Sequence, residues 1–396
     1  MSGFSEQQWQ AIDAKLRQNP ERYGCPIKRS DSVVMGSFNA LKLGKDSDDK
    51  KRWDFLKRFI SRYDLLAIQE VMDDLSGIRR LKKELGSKYE LIVSDTTGAI
   101  PGARGLRERL AFLYRPDRIE LNELTSDITY DRSVVIDTLK QDIDVWKKFF
   151  KDFDKTNKQR VEEGKKRYGL SDVEHPKFIT FIRTPLCAAF SIKAKGSADP
   201  VEFLAINAHL LYGQSEAERT REFFALLKWL VQRAKQSKRM YYKNMVLFGD
   251  LNMDFESPES RYSDIVKLLI ELNSNLLTGS SAARVNFPFL DIHPDQSMLF
   301  NTNARKSEAF DHVAFFIDKD ETGLPQEDKN RQAGQEGDNA YDFGVFDFPE
   351  LFAQALYGKS FFQLNKTETK KVFSSSKADV SDHMPIWVRL PIPGCN

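Results

Sequence analysis

Cysteine is scarce in this 396-residue chain: Cys25, Cys187 and Cys395 stand alone and far apart. That count and spacing exclude a disulfide framework and a zinc site, and a reducing compartment is the expectation. Long apolar runs are missing too. None approaches the roughly 18 residues that a membrane helix needs. The opening MSGFSEQQWQAIDAK has no basic stretch followed by an apolar one, so no secretory signal is expected. The expected location is cytoplasmic, with no membrane contact and with delivery by another route left open. An excess of one charge is also lacking: 60 basic residues face 58 acidic ones, for a net charge of +2. This is not the strongly basic signature of a passive nucleic-acid binder, although a local basic face can sit within a neutral total. No internal repeat is present. What remains, 41% hydrophobic and 30% charged residues, is an ordinary globular composition.

Short apolar runs rich in β-formers predict strands at 33–38, 64–68, 110–114, 178–182, 188–192, 203–208, 245–248, 313–317 and 386–390. Helical spacing predicts helices over 52–63 and 260–273. A third is predicted behind Ser215 and Glu218, which read as a capping box. Residues 1–32 read as an N-terminal extension. Residues 139–169 are charged, with Trp146, Phe149, Phe150 and Phe153 at helical spacing. They read as an inserted surface helix that docks one aromatic stripe. The segment 318–342 is polar and reads as a long loop.

The chemistry-bearing residues gather where strands begin or end. Asn39, Glu70, His209, Asp250 and Asn252 follow apolar strands, whereas Glu108, Asp311, Asp382 and His383 precede them. In an all-parallel sheet these sets would lie at opposite edges. In a mixed sheet, a residue after one strand and a residue before its antiparallel neighbour share an edge. One polar cluster is therefore compatible with the pattern. Carboxylate and amide oxygens suit a hard cation such as Mg²⁺ or Mn²⁺, and histidines beside carboxylates suit acid–base work near neutral pH. Together they describe metal-assisted hydrolysis of a phosphate ester. Any one carboxylate at a strand end is more often a turn residue or cap. His175 and His293, each beside a proline, read as loop residues.

The motifs SFNA (37–40), IQEV (68–71), INAHL (206–210), FGDLNMD (248–254), FDHV (310–313) and SDHMP (381–385) resemble, in this order, the endonuclease/exonuclease/phosphatase superfamily. Within it, RERLAFLYRPDRIEL (107–121), RTP (183–185) and Phe346-Asp347-Phe348 are most similar to deoxyribonuclease I-like nucleases. The resemblance covers about residues 33–391 and implies one catalytic domain over that range, with insertions at 139–169 and within 318–375. It implies an α/β fold, a four-layer sandwich of two packed mixed β-sheets flanked by helices. Glu70, helped by Asn39, and Asp382 would serve a divalent metal, Mg²⁺ or Mn²⁺, with Ca²⁺ as a structural ion. His209 paired with Glu108, and His383 paired with Asp311, would be the acid/base histidines. Asp250 would orient or activate water or help bind metal. Asn252 would hold the scissile phosphate, and Arg183 would contact phosphate or buttress the site. Which histidine is the acid stays open.

There are departures from that subgroup. The disulfide cysteines of its secreted members have no counterparts here. Val71-Met72-Asp73 follows Glu70 without the arginine those enzymes place in the minor groove, and Leu106 replaces a tyrosine. The expected activity is metal-dependent endonucleolytic hydrolysis of DNA. The alternative is a phosphatase or phosphodiesterase acting on RNA, a nucleotide or a lipid or inositol phosphate. The absence of a Pro-x-Trp-Cys-Asp-Arg motif speaks against an inositol polyphosphate 5-phosphatase. A binding module with a dead site has no need of Glu70, Asp250 and His383 together. A deoxyribonuclease in a cytoplasm needs restraint, and the insertions are the expected place for a regulatory protein or ligand.

Overall fold

The computed structural model describes residues 3–45, 51–96, 107–212, 215–236, 240–253, 283–290, 301–318, 321, 324 and 342–395. Twelve strands are present among them: β1 (Ser32–Leu43), β2 (Leu65–Met72), β3 (Glu90–Val93), β4 (Glu108–Tyr114), β5 (Ile119–Asp127), β6 (Leu186–Ile192), β7 (Val201–His209), β8 (Met245–Asp250), β9 (Ala283–Asn286), β10 (Asp311–Asp318), β11 (Asp342–Val345) and β12 (Ile386–Pro391). They form two six-stranded sheets, in the orders β11-β12-β1-β2-β4-β3 and β5-β6-β7-β8-β10-β9. Each sheet has one parallel pair at its centre, β1 with β2 and β7 with β8, flanked by antiparallel neighbours.

Strand alternation explains the layers. Val33 and Met35 on β1 point inward and meet Phe190, Phe203, Phe248 and Phe315 of the other sheet. Their neighbour Val34 points outward, into a cluster with Trp9, Phe55, Phe59 and Phe352. The helices there are α1 (Glu6–Gln18), α2 (Trp53–Ile60), α3 (Ser76–Leu85), and two later ones over Phe348–Tyr357 and Lys366–Asp379. The outer face of the second sheet, with Leu204, Ile206 and Leu247, packs on the helix Glu216–Lys235 through Phe223, Leu227 and Leu230. The order is helix, sheet, sheet, helix, the four-layer sandwich that the motifs implied. Because the central strands are buried on both faces, they read as unbroken apolar runs.

Three details differ from the sequence reading. Residues 178–182 are not a strand. Phe178 and Phe181 pack against the second sheet's helix layer, and the Ile182 N–H donates to Glu222 Oε1 at 2.7 Å instead of to a neighbouring strand. Ser215 does cap its helix, accepting from the Glu218 N–H at 3.2 Å. The Glu218 carboxylate, however, accepts from the His175 N–H at 2.8 Å and leaves the reciprocal arm of the box unmade. Residues 139–169 hold not one helix but the end of one, Arg132–Gln141, and a second, Ile143–Glu162, in which Trp146 is buried and Phe150 is exposed. The helix expected at 260–273, His293, Leu106 and nearly all of 318–342 lie outside the described residues.

The N-terminal segment is not peripheral. Trp9, Ile12 and Leu16 line one face of α1 and are buried in the first sheet's outer layer. Ser5 starts that helix with a full capping box on Gln8. Asp379 then accepts from the Phe4 N–H at 3.1 Å and ties the segment to the far end of the chain.

Candidate active site

Strand register brings the polar residues to one edge of the sandwich. On the first sheet, Asn39 lies opposite Gln69, beside Glu70, and Glu108 opens β4 opposite Met72. Ser37 lies opposite Ile386, so Asp382 and His383, just before β12, fall at the same end. On the second sheet, His209 and Asp311 are both partners of Asp250, across the parallel and the antiparallel ladder respectively. This is the shared edge that a mixed sheet permits and an all-parallel sheet forbids.

The backbone is bent to make this edge. Register shifts interrupt the ladder between Asn39 and Leu43 on β1 and between Ile68 and Val71 on β2. Leu41, Lys42, Glu70 and Asn252 take positive φ, four of the seven non-glycine residues that do so among those described. Such positions cost about 1–3 kcal/mol each and persist where the surroundings enforce them. Gly249 is required next to Asp250, because a Cβ there would lie 2.0 Å from the Ala208 carbonyl oxygen.

Asp250 is the hub. It is 1% exposed, and its Oδ2 lies 3.6 Å from Nε2 of both His209 and His383. Oδ2 also accepts from Asn39 Nδ2 at 3.0 Å, and Oδ1 accepts from the Asn252 N–H at 3.1 Å. Burial raises its pKa, against the pull of His383 and His209. Each histidine has its own carboxylate on the opposite ring nitrogen. His383 Nδ1 is 2.8 Å from Asp311 Oδ2, which also accepts from the Thr302 hydroxyl at 2.7 Å. Burial alone would lower the His383 pKa, but Asp311 and Asp250 overcome it and hold the ring well above its ordinary value. His209 Nδ1 lies 3.1 Å from Glu108 Oε2. Burial pushes Glu108 up, and the contacts from His209 and Arg183 more than reverse this, bringing it to about 2.

The structure separates several roles that the motifs left joined. Arg183 is buried and donates to both Glu108 oxygens, at 2.5 and 3.2 Å, and to the Leu210 carbonyl at 3.1 Å. It buttresses Glu108. Asn39 spends its Oδ1 on the Leu41 N–H at 3.0 Å, while its Nδ2 donates to Glu70 Oε1 and to Asp250. It orients two carboxylates. Asn252 Nδ2 donates to the Leu210 carbonyl at 2.9 Å. Asp382 pairs with Lys377 at 2.7 Å; burial raises its pKa, and His383 and Lys377 bring it below the usual value.

A hard divalent cation fits this donor set. Oxygen atoms of Asp250 and Asp311 lie within 4.8 Å of one another and of a ring nitrogen of His383, whose Nδ1 is engaged with Asp311, so the carboxylates are the donors a cation would use. Asp311 Oδ1 is buried without a hydrogen-bond partner, and Glu70 is only half-buried, with each oxygen accepting one bond.

Sequence reasoning missed the layer beneath. Ser37, Gln69 and Asn207 are wholly buried. Gln69 Nε2 donates to Ser37 Oγ at 3.0 Å and to Asn207 Oδ1 at 2.7 Å, while Asn207 Nδ2 donates to the carbonyls of Ile68 and Ala111 at 3.1 and 2.9 Å. This chain of amides joins the two sheets one layer below the edge. The available signal was a polar residue inside an apolar strand. Lys51 is a second omission, and no sequence pattern marks it. It is buried beneath the Ser381-Asp382-His383 turn, with Nζ 2.5 Å from the Val380 carbonyl. Burial lowers it to about 8, against the pull of Asp382, Glu70 and Asp379.

No protein-family model matches the chain. It is similar to a deoxyribonuclease of Thioalkalivibrio sp. (strain K90mix), 26% identical over 226 residues, which is 55% of this chain and 46% of that relative. It is also similar to deoxyribonuclease-1 of Oryctolagus cuniculus, 29% identical over 96 residues, 23% of this chain and 33% of that one. The chain thus spans less than half the length of either relative. Among solved structures, an endonuclease/exonuclease/phosphatase family protein from Bacteroides thetaiotaomicron superposes with a TM-score of 0.42 at 13% identity, over 91% of this chain and 94% of that one. The chain is thus similar to deoxyribonucleases over part of its length, and it pairs two six-stranded sheets with six motifs whose order resembles the endonuclease/exonuclease/phosphatase superfamily.

Proposed function

We propose that the protein is a divalent-metal-dependent phosphoesterase and, within that class, an endonuclease that hydrolyses DNA phosphodiesters with water. The observation that carries this reading is Asp250 Oδ2, 3.6 Å from Nε2 of two histidines that each have a carboxylate on the other nitrogen. A buried carboxylate flanked by two imidazoles sets a proton acceptor beside two donors, the groups that displacement by water needs. The names of the two relatives favour DNA among phosphodiester substrates.

In this reading residues 33–391 form one catalytic domain, with α1 joined to its outer layer. Asp250 orients water and accepts its proton. His383, kept protonated by Asp311, donates to the leaving oxygen, and His209, held by Glu108, donates to a non-bridging oxygen. Asn252 faces the scissile phosphate once substrate displaces its bond to Leu210. Glu70 and Asp382 would hold Mg²⁺ or Mn²⁺, with Asn39 fixing Glu70, and Ca²⁺ would serve as a structural ion. When bound, the cation supplies Lewis-acid stabilisation of charge growing on the phosphoryl oxygens. Nothing in the set requires a covalent intermediate.

The test is incubation of supercoiled plasmid with the protein in Mg²⁺, in Mn²⁺ and in EDTA, beside Glu70→Gln and His383→Ala. Nicking and linearisation only in metal, with either variant slower by roughly 10²–10⁴, supports the proposal. Intact plasmid in every metal condition refutes the DNA assignment. Metal-dependent release from phosphomonoesters or RNA would then establish the alternative.

A further inference from the structure

We propose that a basic, aromatic-lined pocket beside the Ser381-Asp382-His383 turn is a subsite for backbone phosphates of the nucleic-acid substrate, on the strand flanking the scissile bond. This deepens the function proposed above and rests on it. The pocket has a volume of about 430 Å³, and its walls include Arg305, Phe361, Leu364, Lys366, Lys370 and Phe373, with no carboxylate among the described residues. The whole chain is nearly neutral, at +2. Three cations around one concavity are therefore a local concentration, of the kind that attracts polyanions.

Two connections tie the pocket to the catalytic edge. The first is the turn carrying Arg305. Its neighbour Ala304 donates to the Asp382 carbonyl at 2.7 Å, and Asn303 forms a β-bridge with His383. The second is the helix Lys366–Asp379. Lys366, Lys370, Phe373 and Lys377 recur at helical spacing along one face, and Lys377 ends the row on Asp382. From Lys366 to Lys377 the row is about 16 Å long, at about 1.5 Å per residue. One strand of a duplex carries a phosphate about every 3.4 Å along the axis, so the row matches roughly five.

The neighbouring charges leave these cations available. Glu368, on the same helix, is turned away and held by Lys359 through both oxygens, at 2.9 and 3.1 Å. No carboxylate among the described residues pairs with Arg305, Lys366 or Lys370. The Arg305 guanidinium lies over the Phe373 ring at 4.5 Å. Stacking of this kind leaves the edge donors of the fork free, which is the geometry in which arginine takes a phosphate. Lys306 is not part of the set, because it is spent on Asp347 at 2.5 Å.

The test compares the intact protein with the double variant Lys366→Ala/Lys370→Ala. Both positions are exposed, and unfolding curves check that the fold is kept. Three readouts are taken: kinetics on plasmid DNA across a salt series, kinetics on bis(p-nitrophenyl) phosphate, and binding of a fluorescein-labelled duplex in Ca²⁺ by anisotropy. Expected are a KM for DNA at least tenfold higher, a kcat changed less than twofold, and a salt slope shallower by about 2, one per lost phosphate contact. The small diester, too short to reach the pocket, should show no KM change. Equal losses on both substrates, or unchanged DNA kinetics and unchanged binding, would overturn the subsite. If the unaltered protein binds the duplex through these lysines yet cleaves neither substrate in any metal, the hydrolytic reading fails and the subsite stands.

Discussion

Replacing Asn207 by leucine tests whether the buried amide chain holds the two halves of the site together. Asn207 makes three hydrogen bonds, all between wholly buried groups: one from Gln69 at 2.7 Å, and two to the carbonyls of Ile68 and Ala111 at 3.1 and 2.9 Å. Leucine has a similar volume and none of the polar atoms. Each bond contributes about 1 kcal/mol, and each buried group left without a partner costs about 1–3 kcal/mol. Gln69 keeps Ser37 as one partner, and the carbonyls keep their strand ladders, so the total falls near 3–5 kcal/mol. At about 2.1 cal/mol/K per residue, unfolding this chain carries an entropy near 0.8 kcal/mol/K, so Tm should fall by about 4–6 °C. Calorimetry on the full chain measures this. The same change frees Glu70, one residue beyond Gln69, to move relative to His209, two beyond Asn207. A shift of about 1 Å at reacting groups costs about a hundredfold in rate, so kcat should fall by one to two orders of magnitude. The companion Ser37→Ala loses both of its bonds to Gln69 and should cost about 1–2 kcal/mol with little effect on kcat. If Asn207→Leu moves Tm by less than 1 °C and leaves kcat intact, the bridge does not position the site and the argument fails.

Other expectations follow from single residues. Glu108 sits near 2, below its ordinary value, so its stabilisation is present above about pH 4.5 and is lost as the pH falls toward 2. The difference is about 3 kcal/mol, and Glu108→Gln should give lower, flatter urea midpoints between pH 6 and 3. Asp311 raises the His383 pKa, so Asp311→Asn should move the alkaline limb of the kcat/KM–pH profile to lower pH; an unmoved limb excludes His383 as the titrating acid. Trp9, packed on Phe4, Phe55 and Phe352, should cost about 3–5 kcal/mol on change to alanine, measured as a Tm drop of about 4–6 °C. A neutral result would make α1 dispensable.

The central strands were readable because burial on both faces leaves unbroken apolar runs, as in Leu65–Ile68 and Val313–Ile317. Strands that lack this pattern escaped notice. The strand Glu90–Val93 is only four residues long and half-buried, and Ile119–Asp127 is mostly exposed. The run at 178–182 misled for the opposite reason, since Phe178 and Phe181 are apolar to pack under a helix and make no sheet. At the site, the titratable residues were legible by their places at strand ends, and the mixed sheet then brought them together. Ser37, Gln69, Asn207 and Thr302 do not titrate, and hydrogen bonds across the two sheets or between distant loops are not written in local spacing. The alternative roles of Arg183 resolve only through its burial against Glu108.

The position of β12 has a consequence for how the site comes into being. The last strand in the chain is not an edge strand, for it lies between β11 and β1, near the middle of its sheet. Asn39 and Glu70 belong to β1 and β2, and the pairing of β12 with β1 is what sets His383 at the same edge, against Asp311. A product of interrupted translation that stops short of this segment lacks one of the two histidines facing Asp250, and it has a gap in the sheet that carries Glu70. The strand that completes this sheet therefore also delivers the second of the two histidines that face Asp250.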